Sequence, residues 1–174
     1  ISKEILNEYR RHTAERIRQQ AGGSVRALPP AIRRGDGRAQ LLLLETRDAQ
    51  GQLASVWLAG EEAQIRIQVR FYAPVEDPVI GILIRTRIGF EVYGTNTELE
   101  NIALGPREAG DTLEIVFRFV CHLCPNEYTV TAASHDKDGV WHDWVEDGVA
   151  VAVSDHRYTA GVARLISQVE TKIL

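Results

Sequence analysis

Residues 79–97 read VIGILIRTRIGFEVYGTNT, and the fold of the whole chain can be argued outward from them. Ile80, Ile82 and Ile84 alternate with Gly81, Leu83 and Arg85. A period of two predicts a strand with one dry face. Arg87-Ile88-Gly89 predicts a corner, after which Phe90-Glu91-Val92-Tyr93 alternates again. Gly94-Thr95-Asn96-Thr97 then ends the pairing, because Gly tolerates positive φ and Asn and Thr side chains bond nearby backbone. Two strand pieces around a glycine corner, closed by a polar turn, need other strands to pair with.

The flanking sequence supplies them. Upstream, 40–46 predicts a strand, Asp48-Ala49-Gln50-Gly51 a turn, and 55–58 a short strand closed by Gly60-Glu61-Glu62. The clearest alternation is 63–72, with Ile65, Ile67, Val69 and Phe71 facing in and Gln64, Arg66, Gln68, Arg70 and Tyr72 facing out. Pro74 and Pro78 prevent that strand from running on. Downstream, Leu113, Ile115, Phe117 and Phe119 alternate with polar neighbours, and Tyr128, Val130 and Ala132 share one face. Residues 135–139 predict a charged hairpin turn, and Val149, Val151 and Val153 alternate in 148–153. A last apolar piece spans 161–166. Eight or nine short antiparallel strands with turn signals between them predict an all-β chain, a β-sandwich of immunoglobulin-like or jelly-roll type.

The remainder of the chain precedes the sandwich. Ile1, Ile5, Leu6, Tyr9 and Ile17 recur at helical spacing, so 1–21 predicts an N-terminal helix, with Ser2 as a cap and Gly22-Gly23 as a stop. Residues 22–38 carry Pro29-Pro30 and a Gly-Asp-Gly turn and predict a linker, leaving 39–174 as the folded domain. The chain begins with Ile1 and contains no Met, which predicts a piece of a longer protein.

Composition excludes several functions. Among 174 residues, 44% are hydrophobic and 25% charged, an ordinary balance for a globular domain that buries a core. A net charge of −4 with scattered Lys and Arg argues against nucleic acid as a partner. No run approaches the ~20 apolar residues of a membrane-spanning helix. Cys121 and Cys124 form a single C-x-x-C, weak as a zinc signal without a second pair, and read as reduced structural thiols. No phosphate-binding G-x-x-x-x-G-K-[ST] loop, G-x-S-x-G or H-E-x-x-H occurs, so neither a cofactor nor a metal is expected. His135, Asp136, Asp138, His142 and Asp143 lie close in sequence. Asp136-Lys137-Asp138-Gly139 reads first as a hairpin turn, and a hydrolase using His135, Asp138 or Asp143 stands as an alternative.

Several segments, taken in order, resemble one family. They are Asp48-x-x-Gly51, Ala59-Gly60-Glu61-Glu62, the strand 65–69, Gly81-Ile82-x-Ile84, and the run from Gly89 through Tyr93 to Thr97. Leu123-x-x-Asn126-x-Tyr128-x-Val130 and Ala150-Val151-Ala152-Val153 complete the set. The order, covering 39–155, is similar to the C-terminal carbohydrate-binding domain of the ATP-binding (Wzt-type) subunit of O-antigen polysaccharide ABC transporters. Ile5-Leu6-Asn7-Glu8-Tyr9 resembles the helix that leaves the nucleotide-binding domain of such subunits. Asn126 stands where the family tends to have Gly, and Asn also tolerates left-handed backbone.

The resemblance implies a non-enzymatic module that recognises the end of an O-polysaccharide at the cytoplasmic face of the bacterial inner membrane. It also implies a transmembrane partner subunit, met through a preceding domain, and a homodimer with exchanged C-terminal strands. Sugar rings stack their C–H faces on aromatic side chains, and their hydroxyls bond amides, carboxylates and guanidiniums. The candidates are therefore Gln68, Arg70 and Tyr72 on one strand, Arg85 and Arg87 on an expected neighbour, and Trp141 and Trp144 near a rim. Trp57 reads as core, Trp141 as exposed, and Trp144 is open between core and site. A purely structural dimerisation domain is the other reading.

Overall fold

The computed structural model describes residues 33–173. Among them are nine strands: β1 (Arg33–Arg34), β2 (Ala39–Arg47), β3 (Val56–Leu58), β4 (Glu62–Phe71), β5 (Val79–Thr86), β6 (Glu91–Asn96), β7 (Thr112–Val120), β8 (Asn126–His135) and β9 (Trp141–Ser154). The expected helix over 1–21 and the linker up to residue 32 lie outside the described residues.

The strands form two layers. One sheet runs β1-β9-β8-β5-β6, with β3 added to the same edge of β9 as a sixth strand, and the other runs β2-β4-β7. Every pairing is antiparallel except that of β3 with β9. The chain changes sheets at every connection except β5–β6 and β8–β9. Pro74 and Pro78 sit in the β4–β5 crossing, outside any strand, where a residue with no N–H is accommodated.

The alternation read from the sequence is the one that builds the core. Ile80, Ile82 and Ile84 of β5 and Ile65, Ile67, Val69 and Phe71 of β4 face each other between the layers, all essentially buried. Tyr128, Val130, Val151 and Val153 complete the larger sheet's inner face. Trp57 is core, its ring edge-on to Phe119 at 5.4 Å and its Nε1 donating to the Arg47 carbonyl at 3.0 Å. Truncating such a side chain to Ala costs ~3–5 kcal/mol. Tyr128 donates its hydroxyl to the Cys124 carbonyl at 2.8 Å, tying the β7–β8 crossing to the start of β8. Cys121 and Cys124 are both buried, and burial pushes the Cys121 thiol up.

Three elements depart from the reading of the sequence. β1 falls in the stretch read as linker. β9 begins at Trp141, not at 148, because His142 and Asp143 are buried polar residues that interrupt an apolar pattern without interrupting the strand. Residues 161–166 form no strand. They make one bridge, Leu123 to Ala163, against the β7–β8 crossing. Beyond Arg164 the apolar side chains of Leu165, Ile166, Val169 and Ile173 are all at least 72% exposed. Among the described residues no helix is long and apolar enough to cross a membrane.

Candidate functional site

The outer face of the larger sheet carries a trough of ≈ 200 Å³. Strand register explains its shape. Asn96, Gly81, Ala133, Trp144 and Arg34 lie in one row across β6, β5, β8, β9 and β1. The adjacent row holds Gly94, Leu83 and Thr131. Small residues thus make the floor, while Trp144, Trp141 and His135 build one wall and Leu99 and Asn96 the other. Glycine inside a strand forfeits packing and marks a close approach of backbone to something else. A Cβ on Gly81 would stand 3.2 Å from the Asn96 Cβ, and one on Gly94 would stand 3.2 Å from the Leu83 Cδ1.

Trp141 and Trp144 share this face because β9 is irregular. Residues three apart on a plain strand point to opposite sides. Here the register slips between Ser134, paired with Asp143, and His135, paired with Trp141. The one extra residue is a β-bulge, and it turns both indoles outward while His142 and Asp143 stay inside. Trp141 is 41% exposed, packs edge-on against Trp144 with centroids 4.6 Å apart, and meets His135 at 4.9 Å.

Charge gathers at one end of the wall. Glu146 accepts from Arg85 at 2.8 Å and from Arg34 at 3.0 Å. The hydrogen bond from Arg85, outweighing desolvation, holds the Glu146 carboxyl below its usual range. The same bond raises the Arg85 guanidinium. The Arg34 guanidinium also lies 5.9 Å from the centroid of the Trp144 ring. Two buried side-chain nitrogens among the described residues, Arg85 Nε and Trp144 Nε1, have no protein acceptor. An aromatic wall beside a floor of small residues suits a flat ring with C–H faces.

The other sequence candidates are not all brought here. Arg87 lies past the end of β5, exposed and paired with Glu127 at 2.7 Å. Gln68 and Arg70 lie on β4 of the smaller sheet, on the far side of the sandwich, with Tyr72 just past its end, so the strand of Arg85 is not their neighbour. β4 pairs with β2 and β7, whereas β5 pairs with β6 and β8. Gln68 donates to Glu114 at 3.1 Å, and Arg70 lies 5.8 Å from the ring centroid of Tyr72, which is 51% exposed. The floor glycines, Arg34 and Glu146 were missed. Gly81 and Gly94, each inside a strand, were the signal available for the floor.

The residues considered for hydrolysis serve the fold. Asp143 accepts from the Leu41 amide at 2.7 Å and from the Arg33 guanidinium. Asp138 is exposed in the β8–β9 turn. His142 is buried between Ser134, at 3.0 Å from Nδ1, and Asp136, at 2.9 Å from Nε2. Ser134 is fully buried, so this string of three polar residues meets no solvent at its hydroxyl end. Burial disfavours the Asp136 carboxylate, yet hydrogen bonds from Arg38 and His142 hold its pKa below the usual range. Among the described residues no cluster of His, Cys, Asp or Glu could hold a metal ion. A second cleft, ≈ 430 Å³, opens between β6 and β7 and is lined by Tyr93, Ile115, Phe117 and Phe119.

Comparison with known proteins agrees with this architecture. The structure is similar to the crystal structure of the C-terminal domain of Wzt, with a TM-score of 0.77, 22% identity, and coverage of 84% of this chain and 91% of that one. It is similar in fold to a Niemann-Pick type C2 protein from the Japanese carpenter ant, with a TM-score of 0.52 and 6% identity over 69% of this chain and 96% of that one. No match is found among curated proteins. At these identities the structures speak to fold alone. The sequence model of the Wzt C-terminal domain, however, matches residues 30–165, most of the chain. This chain belongs to the Wzt C-terminal domain family.

Proposed function

We propose that the domain is a non-catalytic carbohydrate-binding module that recognises the terminal structure of an O-antigen polysaccharide, for export by an ABC transporter at the cytoplasmic face of the bacterial inner membrane. The observation that carries the reading is the trough in a chain of this family. Trp141 and Trp144 offer ring faces and edges to sugar C–H groups, and the small floor lets a pyranose approach the sheet. Trp141, Trp144 and Arg85 are the binding residues in this proposal, with Arg87 further along the same sheet. Gln68, Arg70 and Tyr72 form a separate surface. Contacts of this kind are individually weak after desolvation, so affinity depends on several sugars or on two domains acting together.

The second domain is supplied by a homodimer. Leu165, Ile166, Val169 and Ile173 are exposed, and β6 and β7 each leave one edge unpaired, so an exchanged C-terminal segment has both a reason to leave and somewhere to pair. The transmembrane subunit is met through the part of a longer chain that precedes the sandwich.

The test is capture of O-polysaccharide, released from the source bacterium's lipopolysaccharide, by the isolated chain. The expected result is binding that Trp141→Ala and Trp144→Ala abolish at intact fold, with the glycan recovered unshortened. A purely structural dimerisation domain would capture none, and a hydrolase would release sugars.

A further inference from the structure

Residues 33–38 run along the edge of β9 and grip the stretch that carries both tryptophans. Arg33 and Arg34 pair with Val145 and Trp144. The Asp36 amide donates to the Trp141 carbonyl at 3.0 Å, and the Gly37 amide to the His142 carbonyl at 3.0 Å. Gly35 lies flat against the β9 backbone, where a Cβ would stand 2.2 Å from the His142 carbonyl oxygen. Any side chain at this position must push the segment off the strand. Side chains fasten both ends. Arg33 holds Asp143 and the Leu41 carbonyl, and Arg38 holds Asp36 and Asp136 at 2.7 Å each. Between them Arg34 spans Trp144 and Glu146.

A bulged strand twists and loosens more readily than a regular one, and β9 is bulged at His142. Without the strap, the indoles would stand on a strand whose edge at residues 141–145 is unpaired. We infer that residues 33–38 are a positioning strap for the trough, and that strap docking and glycan occupancy are thermodynamically linked. This rests on the trough being the glycan site. Linkage is reciprocal: if the docked strap favours bound glycan, bound glycan must favour the docked strap by the same factor. Residues 1–32 join the sandwich at this strap, so occupancy of the trough is felt where the preceding chain is attached.

The experiment uses the 174-residue chain and, as probe, O-polysaccharide released by mild acid from the source bacterium's lipopolysaccharide. Amide hydrogen exchange is followed at Asp36 and Gly37 with and without glycan, with the Gly51 turn amide as a distant reference. Glycan is expected to slow exchange at the two strap amides about tenfold and to leave Gly51 unchanged, and Gly35→Ala to weaken capture about tenfold. Should Gly35→Ala fail to fold, Arg34→Ala keeps the test open. It removes a side chain 70% exposed and no backbone contact, and is expected to weaken capture about threefold and to reduce the glycan-dependent protection. Capture by the wild-type chain with strap exchange unaltered by glycan overturns the linkage and leaves the proposed function standing. No capture at all overturns both.

Discussion

The two outer faces of the sandwich are both polar, yet they are built on different terms. On the smaller sheet, Arg47 pairs with Glu45, Glu45 with Arg66, Arg66 with Glu114, and Glu114 accepts from Gln68. These four charged groups are answered by neighbours within and across β2, β4 and β7. On the larger sheet the middle rows hold Gly81, Gly94, Ala133 and Thr131, with two indoles standing beside them. The charges at the end of that wall, Arg85, Arg34 and Glu146, are paired with one another as well. A flat face of paired charges gives a ring nothing to stack on, whereas a cleared floor beside aromatic rings does. Polarity alone therefore does not mark a site, and what separates the two faces is the aromatic trough.

The largest effect that would break this contrast is at Trp144. Trp144→Ala is expected to weaken glycan capture about 30-fold or more, the loss usual for a central aromatic anchor, while Gln68→Ala changes it less than about twofold. Isothermal titration with both variants decides which face binds, and equal losses would dissolve the distinction. Next is the floor. Gly81→Val fills the trough and is expected to reduce affinity about tenfold in the same titration, with the circular dichroism of the sandwich retained. The reverse holds on the other face. Glu45 is 7% exposed and faces two arginines, so Glu45→Ala should cost about 1–3 kcal/mol in chemical denaturation and leave capture unchanged.

The smallest effect is with pH. Asp136 and Glu146 both have pKa values held below the usual carboxylate range in the folded chain. The folded state therefore binds fewer protons than the unfolded one as acid is added. Their contribution to stability is complete above the usual carboxylate range and is lost as pH falls through the lowered values, below pH ~4. Urea midpoints measured from neutral to acid pH should fall there, and Asp136→Asn should flatten part of the decline.

Where alternation was regular, the sequence was legible. β4 and β5 were read with the correct residues inward because each keeps a strict period of two through its length. β1 was not, since Arg33 and Arg34 follow Pro29-Pro30 with no periodicity, and two residues are held there by side chains and by the close approach of Gly35. The start of β9 was hidden by His142 and Asp143, polar residues that lie in the interior through bonds to Ser134, Asp136, Arg33 and Leu41. The site was half legible. Residue type singled out Trp141 and Trp144, but placing Gln68 beside Arg85 required knowing which strands share a sheet. That choice is made where the chain crosses between layers, and no local pattern encodes it.

The slip at His142 has an evolutionary corollary. Because the surplus residue makes up for the odd spacing of the two tryptophans, loss of its codon would leave them two apart on a plain strand and still on one face. A relative could thus regularise β9 by a three-base deletion and keep its aromatic wall, giving up only the interior bonds of His142 to Ser134 and Asp136.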